Sequence, residues 1–144
     1  MERRPRPTRA DFRRFTRYTT RWRDNDVYRH MNNAVFYEYA DSAVAGWHLE
    51  TGALEVPDGP VVCLVAETAC TYHDSLGFPD PVDVGLVLDR LGARSMTWRI
   101  GLFRGDADAV SGDIRFVHVC VDSRTHRPVP LPEALRRAAA AMLA

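Results

Sequence analysis

The stretch "RWRDNDVYRHMNNAVFYEYAD", Arg21 to Asp41, decides the fold. It opens as a polar, strand-like run, passes through Asp24, Asn25 and Asp26, and reaches the pair Asn32-Asn33. Beyond that pair the period changes. Phe36, Ala40, Ala43 and Trp47 fall at i, i+4, i+7 and i+11, one apolar face of a helix. Asn32 is the candidate N-cap, because its side-chain oxygen can accept a hydrogen bond from an early helical N–H. Gly52 is the stop signal. The spacing therefore predicts a long helix from Asn33 to about Glu50. Ala43, Ala45 and Gly46 leave parts of it thin, which suits close approach by a sheet.

On either side of this helix the chain reads as strands. "FTRYTTRW", 15–22, is rich in Thr and aromatic residues. After the helix come four more strand candidates at 61–73, 82–91, 94–104 and 110–121, separated by "DSLGFPDP", "LGA" and "RGDAD". Connections this short predict a meander in which successive strands pair antiparallel. A loop, "DSRTHRPVP", then leads to a short Ala-rich helix from Pro132 to about Leu143. One long helix and one antiparallel sheet of about five strands make an α+β domain over 15–144. Residues 1–14 read as an Arg-rich, solvated arm. A single sheet covering one helix leaves edges and a face open for a partner subunit, so a homo-oligomer is expected.

Composition narrows the class. The chain has 144 residues, 46% of them apolar and 26% charged, ordinary for one globular domain. Its formal charge is zero, and all 19 basic residues are Arg. Zero net charge does not advertise a nucleic-acid or membrane partner. In the arm only Phe12 and Phe15 interleave the arginines, unlike a base-stacking surface. Cys63, Cys70 and Cys120 lack C-x-x-C spacing and sit in apolar runs, so they read as buried free thiols. The N-terminus has no apolar core of a secretory signal, and no run is long enough to span a bilayer. A cytoplasmic location follows as the default expectation.

The loop before the helix carries the candidate chemistry. Unpaired N–H groups and the helix dipole at Asn32-Asn33 favour negative charge there. The developing oxyanion of an attacked carbonyl suits that position. A carboxylate at Asp26 can activate water or attack the carbonyl itself. Together they are a minimal acyl-transfer centre. The competing reading is that Asp24, Asn25, Asp26, Asn32 and Asn33 are simply turn and cap residues. Asp24, Asp26 and His30 also spell D-x-D-x3-H, but no further metal ligands stand at a recognised spacing. No G-x-S-x-G, G-x-G-x-x-G or Walker sequence is present. His48, His73, His118 and His126 stand apart and read as structural or surface residues.

"RWRDNDVYRHMNNAVFYEYAD" resembles the signature of the 4-hydroxybenzoyl-CoA thioesterase-like family, acyl-CoA thioesterases with a hotdog fold. The segments "CLVAETACTYHDSLGFPDPVDVGLVLDRLGARS" and "HRPVPLPEALR" echo that family too, and the resemblance covers about 15–140. It implies a long central helix wrapped by a curved antiparallel sheet, with active sites at a dimer interface. It implies that Asp26, the second Asp of D-x-D, is the catalytic carboxylate, as nucleophile or general base. The backbone N–H of Asn33 would polarise the thioester carbonyl. His30 and Asn32 fall on the family's H-x-N-N, where they would order the loop or line the acyl pocket, and Tyr37 would add to that pocket. Arg94 and Ser95 lie where the family often meets the nucleotide arm of CoA. Arg29 stands where the family usually has Gly. Either the loop is shaped differently there or the position tolerates Arg.

The resemblance thus implies thioester hydrolysis of an acyl-CoA, with an acyl-carrier protein as another possible donor, in a homodimer or homotetramer that needs no cofactor or metal. The alternative is a hotdog protein that binds an acyl thioester without cleaving it.

Overall fold

A computed structural model describes residues 4–144. The helix predicted around Asn33 is α1, Asn33–Thr51. Asn32 caps it, its side chain accepting from the Ala34 N–H at 2.9 Å. Gly52 ends it with φ +61°, a left-handed conformation that glycine adopts without steric cost. The strands are β1 (Arg14–Tyr18), β2 (Val61–Tyr72), β3 (Val82–Leu91), β4 (Ser95–Arg104) and β5 (Gly112–Asp122). A short helix α2, Glu133–Ala140, follows.

All strand pairs are antiparallel, in the order β1-β3-β4-β5-β2. Register shifts at Val65/Glu67 and Leu88/Arg90 introduce bulges that bend the sheet around the helix. The concave face supplies Val82, Val84, Leu86, Met96, Trp98, Ile100 and Ile114 to the core. Phe36, Tyr39, Ala40, Ala43, Val44 and Trp47 of α1 meet them, with the Trp47 and Trp98 rings edge to face at 4.9 Å. Each large apolar side chain so buried contributes roughly 1.5–3 kcal/mol. The alanines let α1 settle close to the sheet.

Two expectations are corrected. The sequence places the first strand at 15–22, yet β1 ends at Tyr18. Tyr18 pairs with Val82, and the next partner position is Pro81, which has no N–H to extend the ladder. Thr20 instead donates its hydroxyl to the Asp80 carbonyl at 2.7 Å, and Trp22–Asp24 closes into a 3-10 turn. The second correction concerns pairing. β3, β4 and β5 form the predicted meander, but β2 lies beside β5 at the far edge rather than beside β3. The segment after β2 is tied elsewhere: His73 N–H donates to Ser111 O, and Leu76 O accepts from Met31 N–H at 2.7 Å.

The arm also departs from expectation. Described from residue 4, it docks on the convex face instead of fraying. Val110 N–H donates to Pro7 O, and Arg9 N–H to Asp108 O. Phe12 is buried over Gly85 and Gly101, which face each other across β3 and β4. A Cβ on Gly101 would come within 2.6 Å of the Phe12 ring, so the pair of glycines is the slot the ring occupies. Asp83 anchors the same arm region through Arg9 at 2.9 Å and Arg17 at 2.7 Å. No helix among the described residues is long and apolar enough to cross a membrane.

Candidate active site

The loop before α1 is built on Asp24. Its side chain is 1% exposed and accepts from the Arg21 N–H at 2.8 Å, the Arg21 guanidinium and the Tyr39 hydroxyl. Its carbonyl accepts from Asn32 N–H at 2.9 Å. Burial pushes this carboxyl up, but the Tyr39 and Arg21 hydrogen bonds outweigh burial and hold it below the usual carboxylate range. Burial and the Asp24 partner push the Tyr39 hydroxyl up to about 12. Asp24 is thus committed to holding the loop against the second turn of the helix.

Asp26 is placed differently. It is partly exposed. One carboxylate oxygen accepts from Tyr28 N–H at 2.8 Å, and the other lies 3.5 Å from the Asn32 side-chain amide. Its backbone closes a turn, N–H to His30 O and carbonyl from Arg29 N–H. Arg29 takes φ +65°, so the turn keeps the shape a glycine would adopt there and Arg tolerates it. A carboxylate oxygen therefore adjoins the N-cap of α1. The Asn33 N–H, first of the helix, has no acceptor among the described residues. A negative group arriving there would meet both that donor and the positive end of the helix dipole.

The other predicted site residues divide. The His30 side chain is exposed on the turn, and Asn32 spans the cap and Asp26. Tyr37, one turn into α1, lies parallel to Phe116 with centroids 6.1 Å apart. Arg94 and Ser95 are elsewhere. Ser95 pairs with Val119, whereas the Asp26 end of the sheet lies near Leu102 and Gly112. Seven residues of strand separate the two ends, about 23 Å. Within one chain the structure does not bring Arg94 and Ser95 to Asp26.

Tyr72 was not singled out by sequence reasoning, yet it reaches the site. Its hydroxyl donates to the Asn33 carbonyl at 2.9 Å, and its ring meets Phe36 edge to face at 4.9 Å. Burial pushes the phenol up to about 12, so it stays a donor at neutral pH. Its only signal in the sequence was a tyrosine closing an apolar strand, which is too common to be read. Asn25 also contributes, accepting from Phe78 N–H at 3.1 Å and so fixing the turn to the segment after β2.

The surface carries hollows away from the Asp26 loop. One of about 730 Å³ lies on the convex face between Arg4 and Arg6 and the strand residues Ala69, Arg99 and Arg115. Another of about 230 Å³ lies between the last turns of α1 and the start of β2. Asp26 lines neither. No group of three or more His, Cys, Asp or Glu side chains among the described residues could hold a metal ion.

Comparison places this geometry. The model of the thioesterase-like superfamily matches residues 20–139. No curated protein matches the chain. Among solved structures, the PA5185 protein of Pseudomonas aeruginosa is 38% identical, with 97% of this chain and 98% of that one covered and a TM-score of 0.93. The PA2801 protein of the same organism is 26% identical over 86% and 95% of the two chains, TM-score 0.78. A 1,4-dihydroxy-2-naphthoyl-CoA thioesterase from Synechocystis, 14% identical over 88% and 94%, shares the fold with a TM-score of 0.79. With a superfamily model matching residues 20–139, which include the Asp26 loop, α1 and β2 to β5, and with the fold shared by these structures, the chain belongs to the thioesterase-like superfamily and has the hotdog fold.

Proposed function

We propose that the protein hydrolyses an acyl-CoA thioester to a carboxylate and free CoA. Asp26 acts as nucleophile or general base, and the Asn33 N–H stabilises the oxyanion. The observation that carries this reading is the Asp26 carboxylate beside the N-cap, one residue ahead of an unpaired helical N–H. As the carbonyl is attacked, its oxygen gains negative charge, and one aligned backbone donor is worth roughly 100- to 1,000-fold in rate. The sulfur leaves as a thiol, and water supplies the oxygen of the product acid. His30, Asn32 and Tyr37 are proposed to border the acyl group.

Arg94 and Ser95, remote from Asp26 in one chain, are proposed to meet the CoA phosphates of a site in a neighbouring subunit, where guanidinium geometry suits phosphate. The open edge of β2 supports a homodimer or homotetramer, and such a partner is proposed to add walls around Asp26. Acyl-carrier protein is a possible alternative carrier of the acyl group, the site is proposed to work without a cofactor, and the cytoplasm is the proposed location. The test is thiol release from a panel of acyl-CoAs by wild type and Asp26→Asn. A drop of about 100-fold or more in the folded variant is expected. Saturable binding without thiol release by wild type would replace hydrolysis with acyl-thioester binding.

A further inference from the structure

Cys63 and Cys120 face each other across β2 and β5, with their sulfurs 3.2 Å apart. We propose that they are a dithiol pair that a small-molecule disulfide converts to an intramolecular disulfide. This site is separate from the Asp26 loop and does not depend on the thioesterase reading.

The backbone sets the geometry. The N–H of Cys120 donates to Arg94 O at 2.8 Å, and its carbonyl accepts from Val129 N–H at 2.9 Å. Both backbone groups of Cys120 therefore point away from β2. The Cys63–Cys120 pair is then of the narrow, non-hydrogen-bonded kind, whose Cα atoms lie about 4.5 Å apart with side chains turned toward each other. That spacing falls within the range a disulfide accepts. Flanking pairs Val61–Asp122, Val62–Val121 and Leu64–Val119 hold the register on both sides. Bond formation needs the sulfurs to close by only about 1 Å, which side-chain rotation supplies.

Access differs between the two thiols. Cys120 is fully buried, while Cys63 is partly exposed and lines the hollow of about 230 Å³ with His48, Leu54 and Val61. Cys63 is accordingly the thiol that meets the oxidant. Its thiolate attacks one sulfur of the incoming disulfide and expels the first thiolate. Cys120, deprotonated, attacks the Cys63 sulfur and expels the second. The two cysteines lose two protons and two electrons, and the oxidant leaves as two thiols. In the reduced pair the shared hydrogen bond, with burial, holds the Cys63 thiol above its ordinary range while lowering Cys120, so the need to deprotonate Cys63 slows the first attack. Cys70 is an internal control, since it faces Ile114 at the other end of β2, about 23 Å from Cys63.

The test treats the full chain with 2-hydroxyethyl disulfide, quenches by acid, and counts thiols under denaturing conditions. The expected result is loss of two of the three free thiols, a monomer mass about 2 Da lower, and a tryptic peptide linking Cys63 to Cys120. Cys70→Ser keeps this conversion, whereas Cys63→Ser and Cys120→Ser abolish it. Peptide mapping of wild type stands alone if either variant fails to fold. Retention of all three thiols, a lasting mixed disulfide at Cys63, or any disulfide through Cys70 or between chains would overturn the proposal.

Discussion

The Tyr72 hydroxyl donates a 2.9 Å hydrogen bond to the carbonyl oxygen of Asn33. That contact joins the last residue of an edge strand to the first residue of the central helix. The N–H of Asn33 belongs to the same residue, so the contact also orients the backbone at the proposed oxyanion position. Tyr72→Phe keeps the ring against Phe36 and removes only the hydroxyl. The expected outcome is about 1 kcal/mol of lost stability in urea unfolding, with kcat for thioester cleavage reduced about 10-fold. Unchanged kcat with lowered stability would restrict Tyr72 to a structural role.

Asp24 and Asp26 are two residues apart and do different work. Asp24→Asn leaves a buried amide where the Arg21 and Tyr39 partners expect a carboxylate, and it should destabilise the fold by about 2–4 kcal/mol. The Asp24 carboxyl is held below its unfolded value, so its contribution is complete above about pH 4 and is lost as pH falls through the lower folded value. Unfolding measured from pH 6 to pH 2 should therefore show a shallower acid limb in Asp24→Asn. Asp26→Asn should leave stability nearly unchanged.

His118 and His48 stack at 6.2 Å in the core, and neither ring has a hydrogen-bond partner among the described residues. Burial lowers both, His118 to about 4, with the His48 charge a further contribution there. A histidine that resists protonation when folded binds its proton more readily unfolded. Stability should thus fall as pH drops from about 6.5 to about 4, by an amount on the order of 3 kcal/mol for His118. His118→Leu should flatten that slope, as read by denaturant midpoints across the range.

The Phe12 ring fills the Gly85–Gly101 slot on the convex face. Gly101→Ala should expel it or strain it, costing about 1–3 kcal/mol. Phe12→Ala removes the ring and should cost about 3–5 kcal/mol. Limited trypsin digestion reads the arm directly: both variants should be cut at Arg9 or Arg13 sooner than wild type.

Arg29 holds φ +65°. Arg29→Gly relieves a left-handed residue and should stabilise the protein by up to about 1 kcal/mol, or a melting shift of about 3 °C. A loss of stability instead would mean the Arg29 side chain contributes more than the strain removes.

The parts of the fold set by neighbouring residues were legible. Asn32 as cap, the Phe36-to-Trp47 face and Gly52 as stop all act within a turn of helix, and each stands where the sequence places it. The partner of β2 was not legible, because nothing in its own composition distinguishes β3 from β5 as a neighbour. Pro81 could have signalled the early end of β1, but only once Val82 was known to face Tyr18. The docked arm escaped for the same reason: Phe12 among arginines reads as a solvated tail until two distant glycines are brought opposite each other. At the site, the aspartate beside the cap was readable from spacing, whereas Tyr72 arrives from 39 positions away and has no local mark.

The clamp of Asp24 on Tyr39, Arg21 and Asn32 has a consequence for whatever molecule approaches Asp26. The turn is already in its bonded shape in the free chain, so association there need spend little conformational entropy on ordering the loop. Recognition at such a rigid turn should be closer to lock-and-key, with selectivity set by the walls around it.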